Sequence, residues 1–240
     1  MKKIGRANEL LWVFGILFVA LGVTFCSKAD LGVSMIAAPA FIVSEALSSL
    51  LPFFSVGVTE YAIQAVLLML LCIIVRHFNL KYLSAFLVAI IYGYTLDLFL
   101  WIFGNVTFDG ILLRYIMLIV GDIITAFGVA CFFRTYMPLQ VYELFVAETA
   151  DRFKLNLGKM KWAFDISLLV VSLILAFTLF GDAAAFDITS IGETCFHSLG
   201  LGTLITTLIN SPLITLTGRL IDRIFEPTPR FQRLEKLLKR

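Results

Sequence analysis

Lys161 and Asp165 stand four residues apart at the start of a long apolar run, so a helix would carry both on one face. The order is the less favourable one, and a cation near a helix N-terminus opposes the macrodipole. Local helix stability is thus a poor reason for Lys161. It is either a surface anchor of a membrane helix or a partner in a binding site. Gln64 holds the place equivalent to Asp165 in an upstream run, where packing against another helix competes with binding. Asp122 lies near the centre of a third apolar run with no charge nearby in sequence. An acid there must be protonated, paired or hydrated, and proton coupling is the chemistry it could perform. His197 could relay protons, with helix packing as the plainer role. Asp97 and Asp30, near the ends of runs, complete a candidate binding set of Asp30, Gln64, Asp97, Lys161 and Asp165. Asp30 could equally brace Lys28 or cap the helix that follows. Glu143 and Glu148 share a polar segment with Tyr142 and Phe145 and are placed at an inner vestibule, a solvated face being the alternative.

These residues are set in a chain of 240, of which 60% is hydrophobic and 15% charged, with a mean hydropathy of +0.96. That is far too apolar for a soluble domain and implies a multi-span helical membrane protein. Cys26, Cys72, Cys131 and Cys195 form no C-x-x-C pair and read as small packing residues, so no metal or cofactor is expected. There is no Ser/His/Asp set at membrane depth, no H-E-x-x-H and no Walker glycine loop, and the chain is not expected to be an enzyme. The basic start followed by an apolar run imitates a signal peptide, but Leu10 to Ser27 is long for one and reads as a retained span.

Crossing a hydrocarbon core takes about 20 mostly apolar residues. Six stretches qualify: about 10–27, 57–75, 82–103, 114–133, 162–181 and 194–217. With the N-terminus inside, all of the 19 Lys and Arg except Lys28 and Arg114 fall on the inner side. Eight spans separate the charges less well, and seven put the basic tail outside. Residues 31–54 and 138–153 are left over. The first is broken by Pro39 and Pro52, and the second carries Glu143, Glu148, Asp151 and Arg152.

The chain also repeats itself. Gly57-Val58-Thr59-Glu60-Tyr61-Ala62-Ile63-Gln64 is echoed by Gly158-Lys159-Met160-Lys161-Trp162-Ala163-Phe164-Asp165, and Ala20-Leu21-Gly22-Val23 by Ala126-Phe127-Gly128-Val129. Three spans per unit is an odd number, so two such units insert with opposite orientation, a design that recurs in secondary transporters and channels. The expected fold is all-α: six transmembrane helices as two inverted three-helix repeats (about 10–103 and 114–217), each with an extra broken, re-entrant or interfacial segment. Residues 1–217 form one membrane domain. Residues 218–240 form a basic tail whose Phe231, Leu234, Leu237 and Leu238 suit an amphipathic helix on the inner leaflet.

Around Ala29-Asp30-Leu31-Gly32 the chain resembles the YczE/YyaS/YitT-type integral membrane proteins of bacteria. Further points of likeness are Gly93 with Asp97, Lys161 with Asp165, and Ile191-Gly192-Glu193-Thr194 at the last helix. The resemblance covers roughly residues 15 to 215. It departs at Pro138-Leu139-Gln140, where relatives carry a glycine and an acid after the proline. It implies a transporter-like protein and supplies no chemistry.

The reading that unites these features is a secondary transporter of a small polar or charged solute in the cytoplasmic membrane, both termini cytoplasmic. Its partners would be the lipid bilayer and a small molecule or ion, with no nucleic acid, and a homo-oligomer is left open. The alternatives are a substrate-binding subunit that needs a separate energising partner, and a membrane scaffold that transports nothing.

Overall fold

The computed structural model describes residues 4–5, 8–48, 53–79, 81–180 and 198–226. They form eight helices: α1 (Asn8–Lys28), α2 (Ala38–Ser48), α3 (Val56–Val75), α4 (Lys81–Ile102), α5 (Ile111–Phe132), α6 (Val141–Phe153), α7 (Leu157–Phe180) and α8 (Leu201–Ile224). Six are long and apolar enough to cross a membrane; α2 and α6 are short. The outward faces of α3 and α4 carry Met69, Ile73, Leu87 and Trp101, all exposed, as suits a lipid-facing surface.

The centre of the bundle is the pair α1 and α5, the two most buried spans. Gly15 lies against Gly128 and Gly22 against Gly121, so the two helices run antiparallel. A Cβ on Gly22 would collide with the Gly121 carbonyl and with Thr125, and one on Gly128 with Val19 and the Gly15 carbonyl. Small residues let backbones approach this closely where lipid supplies no hydrophobic drive for association. Around this pair, α4 packs on α1 and α8 on α5, while α2 packs on α7 and α3 on α6.

Both short helices have buried N-terminal ends. Leu31 to Ile42 is entirely buried, whereas Glu45 and Ser48 are exposed. In α6, Val141 to Val146 is buried, and Asp151 to Phe153 is exposed. Before α2, the Leu31 carbonyl accepts from Gly202 N at 2.8 Å and the Ser198 carbonyl from Val33 N at 2.9 Å, tying the irregular backbone to the start of α8. Gly32, at φ 105°, approaches Gly200 too closely for any side chain. Before α6, Trp12 Nε1 donates to the Pro138 carbonyl at 2.9 Å. Non-helical backbone at membrane depth is tolerated where protein satisfies it, and here protein does.

The last span begins at Leu201, not near 194, and runs through Ile224. Its start is set by the Gly200 turn, where Thr203 Oγ1 accepts from Gly200 N at 3.3 Å. Near the chain ends, β1 (Ile4–Gly5) pairs in parallel with β2 (Phe225–Glu226), so the N-terminal end of α1 and the C-terminal end of α8 lie on one face. This is called the terminus face below. His197, the 191–194 motif and the amphipathic tail lie outside the described residues.

Candidate functional site

Five charged side chains are buried among the described residues: Glu60, Asp122, Glu143, Lys161 and Asp165. They come from α3, α5, α6 and α7, and they sense one another electrostatically in a chain. The charges of Asp165 and Lys161 act on Asp122 and Glu143, and Glu143 acts on Glu60. Four carboxyls therefore share the interior with a single ammonium group.

Asn156 opens α7, its Oδ1 accepting from Gly158 N at 3.0 Å and Lys159 N at 3.2 Å. That start places Lys161 one turn in, where its Nζ meets Asp165 Oδ1 at 2.5 Å, with the two side chains 5% and 0% exposed. Lys161 is thus a buried ion-pair member and not a surface anchor. Phe164, between them in sequence, packs on Tyr142 and Phe145 and joins α7 to α6.

On α3, Ser55 caps the helix, accepting from Val58 N at 3.2 Å. Glu60 and Gln64 follow, four apart, and both are fully buried. Tyr142 and Gln64 are directed at Glu60, yet neither contact closes to a well-formed hydrogen bond. Leaving such buried groups loosely satisfied costs on the order of 1–3 kcal/mol each. Tyr92 on α4 lies close enough to feel the charges of Glu60 and Glu143. On α6, burial pushes the Glu143 carboxyl up to about 7, against the pull of the Lys161 charge. Asn210 on α8 is fully buried, and neither its oxygen nor its nitrogen makes a hydrogen bond.

The expected set is thus divided. Gln64, Lys161 and Asp165 lie in the buried group, and Asp122 lies beside it. Asp97 does not. Its Oδ2 accepts from Ser55 Oγ at 2.6 Å and its Oδ1 from Gly57 N at 2.8 Å, so it caps the N-terminus of α3. Asp30 is also elsewhere: its side chain is 62% exposed and ion-paired with Arg114, whose Nε donates to the Ala29 carbonyl at 2.8 Å. The brace partner of Asp30 is therefore Arg114. Lys28 Nζ donates instead to the Gly104 carbonyl at 2.8 Å.

The two vestibule acids also part company. A cavity of about 1250 Å³ opens between α4, α6 and the segment joining α5 to α6, and Glu148, Asp151, Lys154, Tyr82 and Tyr136 help to line it. Glu148 Oε2 accepts from Tyr82 Oη at 3.3 Å there. Glu143 lies on the other side of α6, in the buried group, and does not line the cavity. The reason is helical: five residues turn a side chain by about 140° around the axis.

Sequence reasoning left Glu60, Tyr92, Tyr142 and Asn210 out of the site. For Glu60 the signal was present, since the repeat sets it opposite Lys161 just as it sets Gln64 opposite Asp165.

The family of unknown function DUF6198 matches residues 6–219. The chain belongs to that family. The match takes in the first five spans whole, α8 as far as Arg219 and every residue of the buried group, and it names DUF6198, not the YczE/YyaS/YitT-type proteins that the motifs resemble. No curated protein and no solved structure matches the chain.

Proposed function

We propose that this protein is a secondary transporter that moves a small polar or charged solute by alternating access. The observation that carries the reading is the buried charged group itself. Ionisable residues inside a membrane bundle are expensive and mark substrate or ion pathways by default. Two of them, Glu60 on α3 and Lys161 on α7, stand at matching positions of the sequence repeat, as do the buried Gln64 and Asp165 one turn on.

The packing supports inverted repeats as the frame. Gly15 and Gly22 recur 106 residues later as Gly121 and Gly128. Across the α1–α5 crossing, Gly15 meets Gly128 and Gly22 meets Gly121. Each residue thus contacts the counterpart of the other, as a two-fold axis demands. Two further kinds of pairing exchange in the same way: α4 on α1 with α8 on α5, and α2 on α7 with α6 on α3. In this reading α2 and α6 are the broken segments of the two halves, entering from opposite sides, with the site near the repeat interface. The terminus face is the cytoplasmic one, because Arg134, Arg152, Lys154 and Arg223 lie towards it and Arg114 towards the other. The cavity beside Glu148 is then an inner vestibule of a protein in the cytoplasmic membrane.

Thermal stability in detergent, scanned against pooled metabolites and ions, tests the function. One pool should stabilise the native protein and fail to stabilise Asp165→Asn, whose unliganded stability stays measurable. If no pool shifts the native protein, the buried acids are structural and the scaffold reading replaces this one.

A further inference from the structure

We propose that Glu60 on α3 and Glu143 on α6 form a proton-binding pair, the site at which a proton is taken up and released by the chain. As a proton site it stands on the burial of both acids, on their carboxyl oxygens that no hydrogen bond satisfies, and on the packing of α3 against α6; as a coupling site it rests on the transporter reading. The sequence pointed to Asp122 and His197 for this role. Asp122, however, stands on α5, which packs on α1 and α8 and not at the contact of α3 with α6, and His197 is outside the described residues.

Among the described residues, no cation forms an ion pair with Glu60 or Glu143. On α4, the neighbour of α3, the titratable group near both acids is Tyr92. On α2, also packed against α3, Glu45 is exposed and no charged side chain is buried. On α7, packed against α6, Lys161 is held by Asp165 at 2.5 Å, and its charge reaches Glu143. Two buried carboxylates on helices that pack together, neither of them in an ion pair, cannot both ionise cheaply. The balance is simple: one carboxylate takes one proton from water and becomes a carboxylic acid, and the reverse step returns it.

A second observation points to a proton as the ligand. Gln64, fully buried, and the Tyr142 hydroxyl, 1% exposed, are both directed at Glu60 without a closed hydrogen bond. Between them they offer donors to a carboxylate and an acceptor to a carboxylic acid, so either protonation state can be accommodated. The pair lies behind α6, whose other side lines the cavity through Glu148.

The test uses the full chain in lipid, titrated from about pH 5 to about pH 8, the range in which a buried carboxyl of raised affinity releases its proton. Infrared difference spectra should show a protonated-carboxyl band that persists near neutral pH and is lost on further titration. Glu60→Gln and Glu143→Gln each place the amide isostere of a neutral acid in the pair and should abolish or shift that band. The native protein should lose thermal stability as pH rises, because the folded state holds a proton that the unfolded chain releases at about pH 4.3. The Gln variants should flatten that slope. A native spectrum without the band at neutral pH, or an unchanged band and slope in whichever variant folds, overturns the proposal. In vesicles with an imposed pH gradient, a protonating pair without solute-dependent proton flux would leave the pair standing as a proton site and remove its coupling role. A stabilising solute whose effect is independent of pH and of both variants would do the reverse.

Discussion

Asp97 shows how a charge inside an apolar span can be a brace. Its two oxygens take the Ser55 hydroxyl and the Gly57 amide, and its carboxylate faces the positive end of α3. Removing it by Asp97→Ala should cost about 1–2 kcal/mol, in the range of a lost helix cap, and leave any ligand-induced stabilisation intact. Chemical or thermal unfolding with and without the stabilising pool separates those two effects. Loss of the ligand shift at unchanged basal stability would return Asp97 to the binding set. Lys161 and Asp165 behave oppositely, since each is buried and each is the other's formed ion pair. Their spacing was legible because four residues bring side chains together on any helix. Glu60 was harder to judge. One turn into a helix, a glutamate is equally at home at a membrane surface or in a protein interior, and only the packing of α6 against α3 decides between them.

At the scale of elements, the decisive contact is the crossing of α1 and α5. Gly22 has no room for a side chain, so Gly22→Val should force the helices apart and destabilise by at least 1–3 kcal/mol, roughly the usual cost of overpacking. Gly158→Ala is the control. Gly158 is exposed in the first turn of α7 and near only the Asn156 side chain, so the change should be neutral within about 1 kcal/mol. Equal losses in both variants would mean that the crossing is not what holds the halves together. The six long helices were visible in the apolar runs, usually to within a few residues. The start of α7 at Leu157 was hidden because Lys159 and Lys161 look like flanking charges, and the capping side chain of Asn156 sets the boundary instead. For α6 the charges left open whether the segment is broken, re-entrant or interfacial, and only the packing shows that its first turns are buried while Asp151 to Phe153 are exposed.

For the whole molecule, six crossings with both described ends on one face put Asp30 and Lys154 on opposite sides. Single cysteines at these two positions, in a background with the native cysteines replaced, should react with a membrane-impermeant thiol reagent from opposite sides of sealed vesicles. Labelling of both from one side would refute the six-span topology. Sequence alone determined the membrane class, the number of long spans and the internal echo, because these follow from local composition and helix length. It also paired Lys161 with Asp165, a local contact within one helix. Tertiary structure decided which polar residues share the interior. Asp97 and Asp30 went to braces, Glu148 to the cavity wall, and Glu60, Glu143 and Asn210 to the buried region. The physical reason is that a polar side chain in a bilayer is tolerated on any helix face that finds a partner or water. Which face does so depends on how helices far apart in sequence cross, and no local pattern encodes it.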